Sequence, residues 1–216
     1  MDIDGLRRVD PGYREPRGRI RFSRTEAMHI AAAVIVLSVA FTMILYRGSS
    51  GIGSSAAETA AVLFGVSLVL VVCSFLMHEF GHKFVAQRYR AWSEFRAYPY
   101  GLLMALAFSA MGFLFAAPGA VYIRGNIDVR RNGVISLAGP AVNFAICAAG
   151  ILVLLLAGDA WGVVRLLVYL NAFLGLFNMI PVAPLDGSKI LAWDVRIYVS
   201  AAAVGAAEMA AYFLWL

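Results

Sequence analysis

Two histidines and a glutamate stand together at the end of a long apolar stretch. His78 and His82 are four residues apart, so on a helix both imidazoles project from one face and can bind the same ion. Zinc held by imidazoles polarises a carbonyl and lowers the pKa of its bound water, and a neighbouring glutamate can take and return that water's proton. The HExxH spacing therefore predicts a hydrolytic metal centre in which Glu79 is the general base.

A third protein ligand must come from elsewhere in the chain. Asp186 follows Pro181 and Pro184, which stop a helix and allow unwound backbone to bring the carboxylate inward. Glu208 is the alternative, but it lies in the last apolar stretch without turn residues, and we expect it to meet a serine, a backbone group or the membrane interface. The remaining histidine, His29, stands alone and is interpreted as packed or interfacial. We predict Asp186 as the third ligand of zinc, although iron or cobalt also accepts two histidines and a carboxylate.

Three sequence motifs occur together and in order. His78-Glu79-Phe80-Gly81-His82 is followed by Gly139-Pro140-x-x-Asn143 and then by Asn178-x-x-Pro181-x-x-Pro184-Leu185-Asp186-Gly187. Together they resemble the site-2 protease family of intramembrane zinc metalloproteases, over about residues 60–190. The chain looks most like the compact members, because no stretch is long and polar enough for a PDZ or CBS domain.

The resemblance implies a role for five residues. It implies that one zinc ion is bound by His78, His82 and Asp186, that Glu79 is the catalytic base, and that Asn143 is a candidate for holding the substrate strand or the oxyanion. The implied activity is that of a zinc endopeptidase that cuts peptide bonds in or near the transmembrane segments of single-pass membrane proteins.

Two other classes of protein remain as alternatives. One is a zinc-binding membrane protein without peptidase activity, such as a transporter or an inactive chaperone-like relative, and the other is a structural subunit with an accidental HExxH. Transporters usually spread ionisable groups along a path over several helices and often contain internal repeats. Here the ionisable residues converge on one site, no convincing repeat is found, and Glu79 has no purpose in a purely structural zinc site. These features favour an enzyme.

The composition places the chain in a membrane. Hydrophobic residues make up 62% of the sequence and charged residues 14%, and the mean hydropathy is +0.79, whereas a soluble domain is about 45–50% apolar and about 25% charged. The net charge of +5 comes mainly from arginines at the ends of apolar stretches, which orient helices in a membrane, so we predict no nucleic-acid partner. Cys73 and Cys147 fall in apolar stretches and are interpreted as small buried residues.

Six apolar stretches follow a basic tail. The tail, residues 1–26, contains seven arginines and is predicted to be cytoplasmic, and residues 27–216 are predicted to form a single membrane-embedded domain with its core at 60–190. The tail is too polar to be a signal peptide, although residues 19–22 alternate briefly and are a candidate interfacial strand. The apolar stretches are residues 27–46, 59–77, 101–117, 135–157, 161–180 and 197–216. We therefore predict an all-α protein that crosses the cell membrane several times.

The third apolar stretch has arginines on both sides. Arg88, Arg90 and Arg96 precede residues 101–117, and Arg124 and Arg130 follow them, so the charge rule places both flanks in the cytoplasm. The economical interpretation is a re-entrant or interfacial element, and the alternative is an ordinary span that breaks the rule.

The metal ligands test the two interpretations independently. If residues 101–117 do not cross the membrane, Asp186 returns to the side where His78 and His82 lie. If they cross, Asp186 is separated from the histidines by a hydrocarbon thickness of ~30 Å. We therefore predict that the site faces the cytoplasm. Residues 120–123 are β-branched and aromatic, and we predict a short β element there whose edge could pair with an extended substrate.

Overall fold

The computed structural model describes residues 20–49, 53, 55–113, 116–158 and 162–215. A first helical layer consists of α1 (Arg24–Gly48), α2 (Ala56–Val71) and α3 (Met77–Arg88), with a π-helical turn at Val72–Leu76 joining α2 to α3. Strands β1 (Trp92–Ala97) and β2 (Gly119–Arg124) flank α4 (Pro99–Met111). The chain continues through α5 (Val129–Ala157), α6 (Val163–Asn178), α7 (Asp186–Trp193) and α8 (Val195–Trp215).

The first two helices begin with the same local signal. Ser23 and Ser55 are N-cap residues whose hydroxyls accept hydrogen bonds from the backbone N–H groups of Glu26 and Glu58, at 3.1 and 3.2 Å. This S-x-x-E pattern satisfies N–H groups that have no partner inside the helix. Helix α1 therefore begins at Arg24, three residues before the apolar stretch. Residues 1–19 of the predicted tail lie outside the described part of the chain.

Within the described residues, four continuous helical runs are long and apolar enough to cross a membrane: residues 24–48, 56–88, 129–157 and 195–214. The predicted all-α membrane protein with a short β element is thus confirmed, and the protein spans the membrane several times. Helix α6 has 16 residues, which is about 24 Å and somewhat shorter than a hydrocarbon core. It runs antiparallel to α5, because Gly150 lies against Val168 whereas Gly175 lies against Phe144.

The third apolar stretch leaves the small sheet and returns to it. Helix α4 has 13 residues, about 20 Å, which is too short to cross. Its entry and exit are held together, because Ala97 pairs with Gly119 and the Tyr98 N–H donates to the Pro118 carbonyl at 2.9 Å. The excursion therefore starts and ends at one level, as the re-entrant interpretation predicts.

Side chains occupy the outer edge of β1. The Phe95 N–H donates to Glu26 Oε1 at 2.9 Å, the Ser93 carbonyl accepts from Lys83 Nζ at 2.8 Å, and the Ala97 N–H donates to His29 Nδ1 at 3.1 Å. His29 is thus packed, as expected. Because these groups occupy β1, the sheet edge that remains for a further strand among the described residues is that of β2.

The candidate strand at residues 19–22 is not present in its described part. Residues 20–22 have no regular structure. The side-chain amide of Gln87 takes the place of a strand partner, since it accepts from the Arg21 N–H and donates to the Arg21 carbonyl, both at 3.1 Å.

A buried ion pair ties α1 to α3. Lys83 Nζ lies 2.9 Å from Glu26 Oε2, and both side chains are completely buried. Lys83 immediately follows His82, so this pair anchors the HExxH helix to the start of the chain's first span. Burying two charges is costly unless their remaining hydrogen-bonding positions are filled, and here Ser93 and Phe95 fill them.

The ion pair generates a stability prediction. Lys83→Met leaves the Glu26 carboxylate buried without its counter-charge, so we expect it to lower the free energy of unfolding by about 3–5 kcal/mol. Adding Glu26→Gln removes the second charge and keeps an acceptor for Phe95, and should recover most of the loss. Unfolding of the purified protein in detergent measures both variants. A single variant as stable as the native protein would contradict this account.

Candidate metal centre

Close packing of α3 against α5 brings the HExxH histidines to the centre of the protein. A Cβ atom on Gly81 would lie 2.7 Å from the Ala138 carbonyl oxygen, and one on Gly139 would lie 2.4 Å from His82 Nε2. Glycine at both positions therefore allows the two helices to approach at the level of the imidazoles. The π-helical turn directly before α3 adds a residue to one helical turn, and so sets the direction in which His78 points.

The structure brings His78, His82 and Asp186 together. The two Nε2 atoms are 3.0 Å apart, and Asp186 Oδ2 lies 3.5 Å from His78 Nε2 and 3.1 Å from His82 Nε2. All three residues are buried. This is the ligand set predicted from the sequence, and it is the group of histidine, cysteine and acidic residues found close enough to hold a metal in the described part of the chain.

Hydrogen bonds fix which ring nitrogens face the centre. His82 Nδ1 lies 2.8 Å from the carbonyl oxygen of Ile135, and His78 Nδ1 lies 2.6 Å from Asn143 Oδ1. Both oxygens can only accept, so both Nδ1 atoms carry a proton, and in the neutral imidazole that binds a metal each Nε2 then presents a lone pair. Two lone pairs and a carboxylate oxygen thus converge without a proton between the imidazoles.

The arrangement fits a zinc ion. A tetrahedral ion with ligands at about 2.0–2.1 Å separates neighbouring ligand atoms by roughly 3.3 Å, and the three separations here are 3.0, 3.1 and 3.5 Å. Three converging acceptors in a buried pocket repel one another unless a cation lies between them. Two histidines, one carboxylate and an open fourth position are the ligands of hydrolytic zinc sites.

The Pro-containing loop delivers Asp186 as the first residue of α7. Its Oδ1 accepts from Lys189 Nζ at 3.2 Å while Oδ2 faces the imidazoles. Oδ1 is thereby bound to a cationic side chain, and Oδ2 is left to face the position between the two Nε2 atoms.

Glu79 lies beside the three metal ligands and against β2. Its Oε2 accepts a hydrogen bond from the Val121 N–H at 3.0 Å, and its side chain is buried. Val121 pairs with Phe95 across the sheet, and the N–H groups of both residues point away from the ladder. The open edge of β2 therefore faces Glu79.

Two other candidates from the sequence lie differently. Asn143 is completely buried, and its amide is committed to His78, Ser74 and Asn171 rather than presented to a substrate. Glu208 is not part of the metal group and meets the thiol of Cys147. Sequence reasoning did not find Asn171, Ser74 and Lys189, and the one local signal was the i, i+3 spacing of Lys189 from Asp186.

The tight contact at Gly139 generates a prediction. Gly139→Ala would push a methyl group against both imidazoles, so we expect the zinc affinity to fall on the order of tenfold, as when the orientation of a ligand is disturbed. Gly65→Ala is the matched control, because a Cβ on this helical glycine meets nothing within 4 Å. Competition with a chelator measures both affinities, and equal affinities for the two variants would rule out the close contact.

Comparison with known proteins assigns the chain to a family. It is 34% identical over 185 residues to "Putative zinc metalloprotease MJ0611" of Methanocaldococcus jannaschii, covering 82% of this chain and 89% of that protein. It is 30% identical over 149 residues to "Putative zinc metalloprotease YwhC" of Bacillus subtilis, covering 57% of this chain and 66% of that protein.

A longer relative matches over part of its own length. "Zinc metalloprotease MJ0392" of Methanocaldococcus jannaschii is 28% identical over 137 residues, and the match covers 61% of this chain but only 34% of that protein. No family model and no solved structure matches the chain. The match to MJ0611 covers most of both chains, and His78, His82 and Asp186 converge as the ligands of a zinc metalloprotease would. The chain belongs to the site-2 protease family of zinc metalloproteases.

Proposed function

We propose that this metalloprotease is an intramembrane endopeptidase that hydrolyses peptide bonds in or near the transmembrane segments of single-pass membrane proteins. The observation that carries the proposal is the shared position of three features. A bundle of apolar helices surrounds the three metal ligands, the Glu79 carboxylate and the N–H of Val121 that points away from β1. A protease that acted only on soluble substrates would not need this bundle around its site.

The chemistry divides between the ion and the chain. Zinc held by His78, His82 and Asp186 would polarise the scissile carbonyl and lower the pKa of a bound water. Glu79 takes a proton from the attacking water and delivers it to the departing amine, so that one water is consumed and a carboxylate and an amine are formed. The surrounding helices limit access of bulk water to the site.

The open edge of β2 supports a mode of substrate binding. Backbone in a substrate helix is already hydrogen-bonded, so the helix must unwind before a peptide bond can reach the site. An extended segment can then pair with a strand edge, which satisfies its exposed backbone groups. A substrate carbonyl that accepts from the Val121 N–H would also release the Glu79 carboxylate for proton transfer.

The orientation follows from the distribution of charge. Lys83, Arg88 and Arg90 lie in or just after α3, beyond the apolar part of the run that carries His78. Basic residues favour the cytoplasmic side. We therefore propose that the N-terminus is cytoplasmic and that the site lies toward the cytoplasmic face of the cell membrane.

Glu79→Gln tests the proposed activity. The amide cannot accept the proton, so we expect cleavage of a labelled transmembrane substrate in zinc-loaded proteoliposomes to fall by at least about 100-fold. The zinc content should stay the same because the three ligands are unchanged. Glu58→Gln is the control, since this exposed residue lies at the opposite end of the same helical run. Normal cleavage by Glu79→Gln would refute the mechanism.

Val121→Pro tests the edge of β2. Proline removes the N–H that faces Glu79 but leaves the ladder to β1 intact, because that N–H points outward. We expect cleavage to fall on the order of tenfold, which corresponds to one hydrogen bond of about 1.4 kcal/mol. Val121→Ala keeps the N–H and should cleave nearly normally. If both variants cleave equally, substrate does not pair at this position.

A further inference from the structure

A chain of buried amides runs from His78 away from the metal site. Asn143 Nδ2 donates to the Ser74 carbonyl at 3.1 Å and to Asn171 Oδ1 at 2.8 Å. Asn171 Nδ2 donates to Ser74 Oγ and to the Leu167 carbonyl, both at 2.9 Å. Asn143 and Asn171 are completely buried and Ser74 is 2% exposed. Three helical runs thus contribute to one polar network in an apolar surrounding.

Backbone carbonyls determine the orientation of both amides. The Leu167 carbonyl can only accept, so Asn171 must turn its NH₂ group toward it and its oxygen toward Asn143. The Ser74 carbonyl likewise requires the NH₂ group of Asn143, and the Asn171 oxygen accepts the second proton of that NH₂. Asn143 is then left with one orientation, in which its oxygen faces His78 Nδ1.

We propose that Asn171 is a positioning residue of the metal centre, which acts through Asn143 to keep the proton of His78 on Nδ1 and the Nε2 lone pair directed at the ion. An unlocked Asn143 amide could turn its NH₂ group to His78, which would move the imidazole proton to Nε2 and block the ligand position. A neutral imidazole without a fixed partner populates both tautomers. The network removes that freedom before metal arrives.

The π-helical turn makes this arrangement possible. Ser74 lies in the middle of the turn at Val72–Leu76 and supplies two acceptors, its carbonyl for Asn143 and its hydroxyl for Asn171. His78 follows four residues later on the same helical run. One turn of helix therefore carries both the metal ligand and the group that orients its partner.

His82 provides an internal comparison. Its Nδ1 faces the Ile135 carbonyl, which belongs to the backbone of α5 and needs no amide to orient it. A change in the Asn171 network should therefore affect His78 and leave His82 unchanged. A general loss of structure would disturb both.

The first experiment uses the imidazole ¹⁵N spectrum of metal-free, histidine-labelled protein, in which only three histidines contribute. In the native chain we expect His78 and His82 to be protonated at Nδ1. Asn171→Leu should shift the His78 signals toward a mixture of tautomers, with His82 unaltered, and Ser74→Ala, which keeps both backbone carbonyls, should shift them less. Ser67→Ala is the matched control, since Ser67 is a fully buried serine of α2 that contacts Thr42 instead.

The second experiment measures zinc affinity by competition with a chelator. Asn171→Leu should weaken binding on the order of tenfold and Ser74→Ala by less, whereas Ser67→Ala should bind as the native chain does. If Asn171→Leu does not fold, Asn171→Ala, which also removes the amide that holds Asn143, carries the same test. A purely structural role for Asn171 would lower thermal stability without moving either the His78 signals or the affinity.

The inference rests on the metal centre of the proposed function, and the two can fail separately. A native chain that binds no zinc would overturn both. Native zinc binding, with unchanged His78 signals and unchanged affinity in Asn171→Leu and Ser74→Ala, would overturn the role of Asn171 alone.

Discussion

Mutual repulsion among three electron-rich atoms is the constraint on which this structure depends. Two imidazole nitrogens and one carboxylate oxygen face each other at 3.0–3.5 Å, and hydrogen bonds on the far side of each ring keep protons out of the space between them. Such a cluster is unfavourable in a buried pocket unless a cation shares it. The surrounding protein therefore has to hold the cluster together before the ion binds.

Several parts of the fold hold the ligands in place. Helices α3 and α5 approach closely at Gly81 and Gly139, the Pro-containing loop presents Asp186, and the Glu26–Lys83 pair fixes the start of α1 against α3. The same ion pair occupies the outer edge of β1 and so leaves β2 as the edge that faces Glu79. The same few contacts thus join α1 to α3 and determine which edge of the sheet faces Glu79.

Sequence reasoning succeeded where the signal is local. The i, i+4 spacing of His78 and His82 follows from helix geometry, the prolines before Asp186 mark an unwound ligand loop, and the arginines around residues 101–117 indicate an element that does not cross. Each of these patterns can be read from one continuous segment of the sequence. The mean hydropathy likewise predicts the membrane class without knowledge of any contact.

The contacts that sequence reasoning missed join distant residues. Asn171 meets Ser74 across 97 positions and Lys83 meets Glu26 across 57, and no spacing rule connects them. Strand β1 was also missed, because its short sequence contains Glu94 and Arg96 and exists as a strand only through pairing with β2.

The most direct test of the account is anomalous diffraction at the zinc edge from crystals of the zinc-loaded protein. We predict one peak at about 2.0–2.2 Å from both histidine Nε2 atoms and from an Asp186 carboxylate oxygen. A peak coordinated without Asp186, or no peak between the histidines, would contradict it.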